Sequence, residues 1–286
     1  MLHILRKSLA TGVVTTNYPE TPAEVSPHAR GRPGIDFANW KDARPAAAIC
    51  PTGAIAVADQ TGVRTATLDL GKCIFCGLCA EVDQAIRMTN QCELAARRGD
   101  DLKFTARYEL NSDGSHAKML EQRPAGESGS RDRTGKESLE VAGNQLKAHI
   151  HQVLGRSLHI REVDAGSCNG CEIEIVGLNS PVYDIERFGI HFVASPRHAD
   201  LLLVTGPVTR NMELALRKTH AAMPGPALVV AVGACGCSGG IFGRNYASLG
   251  GVDNVLPVDV YIPGCPPNPF ALLHGILLAV GRLDKR

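Results

Sequence analysis

The sequence predicts an α/β chain in two parts: a small α+β domain bearing clustered cysteines, followed by an open parallel sheet with cysteine loops of its own. Three observations carry this. Leu158–Val163 alternates like a strand, while Ala199–Val204 and Ala227–Val232 are short apolar runs that suit strands buried on both faces of a parallel sheet. Residues 211–223, closed by Pro224, and residues 268–282 read as helices, so strand and helix alternate as an open α/β sheet requires. Ahead of them a compact cysteine-bearing region runs from about Cys50 to Cys92.

Taken in order, the chain opens with Leu2, Leu5 and Leu9 on one helical face beside Arg6 and Lys7. A short helix is expected there, packing on its own domain or docking on a membrane-bound partner. Residues 17–46 read as loop, because Pro19, Pro22, Pro27, Pro33 and Pro45 interrupt any regular element. From Asn111 to Lys136 the chain turns polar and rich in Gly, Ser and Arg, which cannot bury a core and reads as a linker. Leu139, Val141, Leu146, Ile150 and Leu154 then recur at helical spacing, stopped by Gly155. After residue 158 the strands and helices above follow, with Val258–Ile262 as a further strand. The expected boundaries are therefore 1–110 for the first domain, 111–150 for a linker and connecting helix, and 151–286 for the second domain.

Composition narrows the class. The 286 residues are 44% hydrophobic and 5% aromatic, and their formal net charge is +1, which gives no support to a nucleic-acid reader with its basic stripe. No run approaches the ~18 apolar residues of a spanning helix, and the apolar part of Met1–Leu9 is short for a secretory signal. A cytosolic, reducing compartment is the expectation, where the ten cysteines read better as metal ligands than as disulfides.

Eight of the ten sort into two sets. Cys73, Cys76 and Cys79 form a C-x-x-C-x-x-C run, whose spacing lets one loop present three thiolates to a cubane. In two-cluster bacterial ferredoxins each such run is followed by a fourth cysteine before proline, which serves the other cluster. Here Asp83 stands at that fourth position, while Cys50-Pro51 looks like the tail of a second motif whose own run is missing. Phe37, Trp40 and Ala47 occupy the region of the missing run. The two losses are complementary and leave Cys50, Cys73, Cys76 and Cys79 for one [4Fe–4S] cluster. Four cysteines also suit zinc, but three in one tight run fit a cube better. Cys92 stands alone in a stretch, Gln91–Arg98, that reads as helical.

The second set is Cys168 and Cys171, then Cys235 in Gly233–Gly240, then Cys265 in Pro263–Pro267, each group just after an expected strand. Strand ends are where open sheets place ligand sites, and the glycines let backbone approach a bulky cofactor. Four thiolates can converge there on a second [4Fe–4S] cluster, with Cys237 competing against Cys235 for the third place.

Residues 156–283 resemble the small subunit of membrane-associated, energy-converting [NiFe] hydrogenases of the formate hydrogenlyase type, through His159–Asp164, Cys168–Glu174, Ala231–Phe242 and Pro263–Pro267. They are similar as well to the cluster-bearing subunit of complex I, which has two adjacent cysteines where Cys168 and Cys171 are separated. The first half resembles the polyferredoxin subunit of the same complexes, through Thr11–Pro19 and Gly71–Gly77, and lacks the ligands of one of its clusters. The resemblance implies a ferredoxin-like domain fused to a flavodoxin-like one, Cys235 as the third ligand, and Cys237 as an extra. It implies an electron-transfer subunit of a hydrogenase complex, with a hydrogenase-type large subunit and further electron-transfer and membrane subunits as partners, peripheral on the cytoplasmic side of the membrane. The alternative is a nickel-free, complex I-like oxidoreductase that reduces quinone or pumps ions. Glu172, beside Cys171, is a candidate proton relay or else a solvated acid favoured by a helix start.

Overall fold

In the computed structural model the described residues are 2–19, 21, 23–124, 147, 148, 150–152 and 154–281. The expected linker segment 125–136 and the helix positions Leu139, Val141 and Leu146 lie outside them; residues 147–154, where described, are helical.

The first half is built on two antiparallel sheets. Strands β2 (Ile55–Gln60), β3 (Val63–Asp69), β5 (Lys103–Leu110) and β6 (His116–Arg123) form one in the order β2-β3-β5-β6, and β1 (Pro33–Ile35) pairs with β4 (Ile86–Met88) in the other. The short helices α2 (Arg44–Ile49) and α3 (Leu78–Val82) lie against each other. Strand β3 alternates buried and half-buried positions, as a sheet with one face on a core must. Its Arg64 is buried and clamped by Asp59, Asp42 and the carbonyl of Gly114, with nitrogen–oxygen distances of 2.7–3.0 Å.

The segment expected to be linker from Asn111 onward carries strand β6 as far as Arg123. Its polarity has a different origin: β6 is the edge of its sheet, almost wholly exposed, and charged side chains keep such an edge from pairing with other chains.

The second half is a five-stranded sheet, parallel throughout, in the order β11-β10-β9-β7-β8. Its strands are β7 (Leu158–Asp164), β8 (Ile190–Phe192), β9 (Leu201–Thr205), β10 (Leu228–Val232) and β11 (Val260–Ile262). Every residue of β9 and β10 is buried, which explains their unbroken apolar runs. Helix α4 (Gly170–Gly177) follows β7, α5 (Arg210–Ala221) connects β9 to β10, α6 (Gly233–Ser238) follows β10, and α7 (Pro269–Val280) closes the described chain. The Asn268 side chain caps α7 by accepting from the Ala271 N–H at 2.8 Å. Helix α7 is apolar nearly all round because it is interior, with Phe270 against both Tyr18 and Tyr183. Among the described residues no helix is long and apolar enough to cross a membrane.

The two halves share one hydrophobic core, in which Leu70, Leu102 and Tyr108 join Val204, Cys237, Val252 and Tyr261. They also share backbone hydrogen bonds. Ala96 donates to Tyr261 at 2.9 Å and Tyr261 returns a bond to Ala96 at 2.8 Å, on β11 at the sheet's outer edge. The Gln91–Arg98 stretch, expected to be helical, is therefore irregular and extended at Ala96; tertiary pairing overrides the helix preference of Glu93–Arg97. Helix α1 (Leu2–Thr11) forms as expected but does not pack on its own domain, since Ile4, Leu5 and Leu9 are exposed. The chain is tied down just after it, where Thr16 N–H donates to Val182 and the Thr15 hydroxyl to Pro181.

Candidate metal centres

The loop between β3 and α3 brings Cys73 and Cys76, and the first turn of α3 brings Cys79, around one cavity, and the turn after α2 adds Cys50 to its wall. Pro33, Ile55, Leu68, Phe75 and Met88 complete a largely apolar lining. The thiols feel one another. Burial, then repulsion from Cys79, Cys50 and Cys76, pushes the Cys73 thiol up to about 12. Cys79 rises through burial and the charges of Cys76 and Cys50. Cys50 goes the other way: burial raises it, but the N–H groups of Ile55, Thr52 and Ala54 and the Thr52 hydroxyl together bring it below the ordinary thiol value.

The region that lacks cysteines is packed solid. The Trp40 indole N–H donates to Asp83 at 2.6 Å, so the residue at the fourth motif position serves as an acceptor. Trp40 is buried, edge-on to Phe37 and to Tyr108 at centroid separations of 5.9 and 6.5 Å, and Ala47 packs against the same core. The Tyr108 hydroxyl donates to the Phe37 carbonyl at 2.8 Å. Both Asp83 and Trp40 stand out in the sequence; their contact does not, because they lie 43 positions apart.

In the second half, Cys168 and Cys171 follow β7, Cys235 lies in α6 just after β10, and Cys265 follows β11, all at the carboxyl ends of parallel strands. Burial, then Glu172 and the thiols of Cys235, Cys168 and Cys265, push the Cys171 thiol well up. Cys235 reaches about 11 through burial, then Cys265, Cys168 and Glu172. Glycine is required at two points of close approach, both at positive φ. A Cβ on Gly233 would lie 2.7 Å from Cys171 Sγ, and one on Gly240 2.8 Å from Cys235 Sγ. Cys237 is buried away from the ring, its Sγ directed at the Ala231 carbonyl at 3.8 Å. Cys92 is half-buried, its thiol raised by burial and by Glu93.

Glu172 lines a second cavity with Glu162, Arg161 and Asn179, and both its carboxylate oxygens are buried without a hydrogen-bond partner. Burial, then the charge of Glu172, raises the Glu162 carboxyl.

These donor sets fit iron–sulfur cubanes. Among the described residues no three His, Cys, Asp or Glu side chains sit close enough to hold a single metal ion. A cubane instead takes each of four thiolates at a different corner, so mutually repelling thiols around a cavity or across strand ends are the arrangement it needs.

A parallel sheet with thiol loops at its strand ends suits the class of iron–sulfur subunits of oxidoreductase complexes. The family model for the 20 kDa subunit of NADH ubiquinone oxidoreductase matches residues 168–279, and the chain belongs to that family. It is 50% identical over 141 residues to formate hydrogenlyase subunit 7 of Escherichia coli, covering 49% of this chain and 55% of that protein. It is 46% identical over 138 residues to the probable membrane-bound hydrogenase subunit mbhJ of Pyrococcus furiosus, covering 48% of this chain and 83% of that one. Among solved structures, a chain of the archaeal membrane-bound sulfane sulfur reductase is 37% identical with a TM-score of 0.42, covering 48% of this chain and 75% of that one. The chain thus spans about half the length of formate hydrogenlyase subunit 7.

Proposed function

We propose that this chain is an electron-transfer subunit of a membrane-associated [NiFe] hydrogenase complex, carrying electrons through two [4Fe–4S] clusters to or from a separate large subunit. The carrying observation is the presence of two separate four-thiol constellations on one chain that shares half its length with hydrogenase subunits. Cys50, Cys73, Cys76 and Cys79 would hold one cluster in a ferredoxin-like domain. Cys168, Cys171, Cys235 and Cys265 would hold the other at the edge of a flavodoxin-like sheet. Each cluster, when bound, supplies one-electron storage. The residues around it supply the rest: thiolates that ligate, glycines that admit the cluster, and apolar walls that limit water.

The large subunit docks on the face where Cys168 and Cys265 are exposed and Ile173, Val176, Ile241 and Phe242 present apolar surface. Further electron-transfer and membrane subunits complete the assembly, and the chain sits peripherally on the cytoplasmic side of the membrane. Glu172, with its unpartnered oxygens, passes protons at that interface. Replacing Glu172 with Gln tests this last role: proton-dependent turnover falls with clusters intact if it relays, and unchanged turnover removes it from the mechanism.

Iron, sulfide and nickel analysis of the anaerobically purified complex tests the main proposal, together with EPR of the reduced complex. The expectation is about eight irons and eight sulfides on this chain and a nickel signal from the large subunit. Zinc without iron overturns it. A second reading, a nickel-free quinone-reducing or ion-pumping relative, is favoured by the quinone oxidoreductase family match. Two clusters with no nickel in the complex would select it.

A further inference from the structure

The segment ahead of β1 carries two arginines, Arg30 and Arg32, and they do different work. A turn closed by the Ala29 N–H on the Ser26 carbonyl, at 2.9 Å, leads into it. The Gly31 N–H then donates to the Thr89 carbonyl at 2.7 Å and the Arg32 N–H to the Gln91 carbonyl at 3.0 Å. The Thr89 hydroxyl donates back to the Arg32 carbonyl at 2.7 Å. Thr89 directly follows Met88, the last residue of β4, which lines the first thiol cavity. The Arg32 side chain is engaged in this seam: its Nε donates to Gln91 Oε1 at 2.7 Å, and its guanidinium lies 5.1 Å from the centre of the Phe104 ring. Arg30 instead reaches the cysteine loop, where its Nη1 donates to the Cys76 carbonyl at 2.9 Å. Among the described residues lining the cavity no side chain is charged. A full positive charge is thus fastened to the backbone of one of the four cysteines, beside an otherwise apolar wall.

A cubane held by four thiolates is a dianion when oxidised, and it gains a further negative charge when it accepts an electron. Net charge, hydrogen bonds and solvent exposure set its potential. A cation held nearby stabilises the reduced form more than the oxidised one, and apolar surroundings weaken that attraction less than water does. A guanidinium suits the task because it keeps its charge across the whole working pH range. We infer that Arg30 raises the reduction potential of the cluster held by Cys50, Cys73, Cys76 and Cys79. It is a positioning residue: it is anchored on Cys76, ligates nothing and exchanges no electron. The inference rests on that ring holding a cubane. One electron enters or leaves the cluster, no bond is made or broken, and Arg30 biases only how readily the electron is held. Because the Arg30 side chain is exposed, dissolved salt screens the bias.

The test uses the full chain with its clusters in place and follows both cluster EPR signals through a mediated redox titration. Cys171→Ser, which leaves the first ring whole, assigns the first signal. Arg30→Gln keeps a donor for the Cys76 carbonyl and removes the charge, whereas Arg30→Lys keeps the charge. Arg30→Gln is expected to lower the first cluster's midpoint potential, read as a several-fold fall in its reduced fraction at an applied potential near that midpoint. Arg30→Lys is expected to stay close to the unaltered chain. The gap between Arg30→Gln and the unaltered chain should narrow as sodium chloride is added, while the second cluster's potential stays fixed as an internal reference. Equal first-cluster potentials in all three proteins overturn the inference. So does a fall that Arg30→Lys shares in full, which would assign the effect to bond geometry rather than charge. Loss of the first cluster from both variants would make Arg30 a structural anchor of the loop and overturns it as well. An unaltered chain with iron for the second cubane alone instead overturns the reading beneath it, and the two failures are distinct.

Discussion

The two groups of four thiols are assembled by opposite routes. The first takes three of its cysteines from one short stretch, Cys73–Cys79, which runs from a loop into α3, and one from the nearby turn at Cys50, so local chain geometry sets it. The second takes its cysteines from the ends of β7, β10 and β11, and only the parallel sheet brings them together. The difference concerns what each ring depends on. The first needs its local stretch, beside which the Trp40–Asp83 contact packs. The second needs the whole sheet in register.

Substituting one ligand in each ring breaks the comparison most sharply. Cys50→Ser and Cys171→Ser should each remove about four of about eight irons, measured by iron and sulfide analysis, and should abolish different EPR signals. Loss of both clusters from either single change would show that the rings are not independent. The next effect is on packing. Trp40→Ala should destabilise the chain by about 3–5 kcal/mol in denaturant unfolding, and the EPR signal of the second ring should persist in the folded fraction. Asp83→Ala leaves the buried indole N–H without its acceptor and should cost about 1–3 kcal/mol by the same measurement.

The smallest effect is a pH slope. Burial raises the Asp69 carboxyl, and it raises that of Asp253, across a cleft between the halves. A carboxyl whose folded-state pKa lies above its unfolded value of 3.8 favours the fold at low pH, where it is protonated in both states. That contribution is lost as pH rises through the folded value. Asp69→Asn, which can still accept the Gly71 N–H, should therefore flatten the decline in urea midpoint as pH rises above the ordinary carboxylate range. An unchanged slope would show that Asp69 does not contribute.

The same contrast explains how much was legible in the sequence. Ring one is written in spacing: a C-x-x-C-x-x-C run needs no tertiary information. Ring two is legible because each of its cysteines follows an apolar run that reads as a strand, and strand ends on one side of a parallel sheet converge. What the sequence leaves unmarked depends on contacts between distant segments. Strand β6 reads as linker because an exposed edge has a linker's polarity. Residues 91–98 read as helix because the bond that extends Ala96 comes from Tyr261, in the other half. The Arg64 clamp was within reach, since Asp59 and Arg64 are paired across a hairpin turned at Thr61-Gly62. The Trp40–Asp83 contact was half visible, as a tryptophan and an acid at the two places where cysteines were missing.

The exchange of backbone bonds between Ala96 and Tyr261 has a consequence for assembly. Strand β11 would otherwise end the parallel sheet as a bare row of donors and acceptors, a template for other chains. The first half covers part of that row. Because both halves belong to one polypeptide, this docking is intramolecular and is governed by an effective concentration. Dilution does not separate them, and a stoichiometry of one antiparallel-sheet half to one parallel-sheet half is built in. Two halves on separate chains would have to secure both by affinity alone.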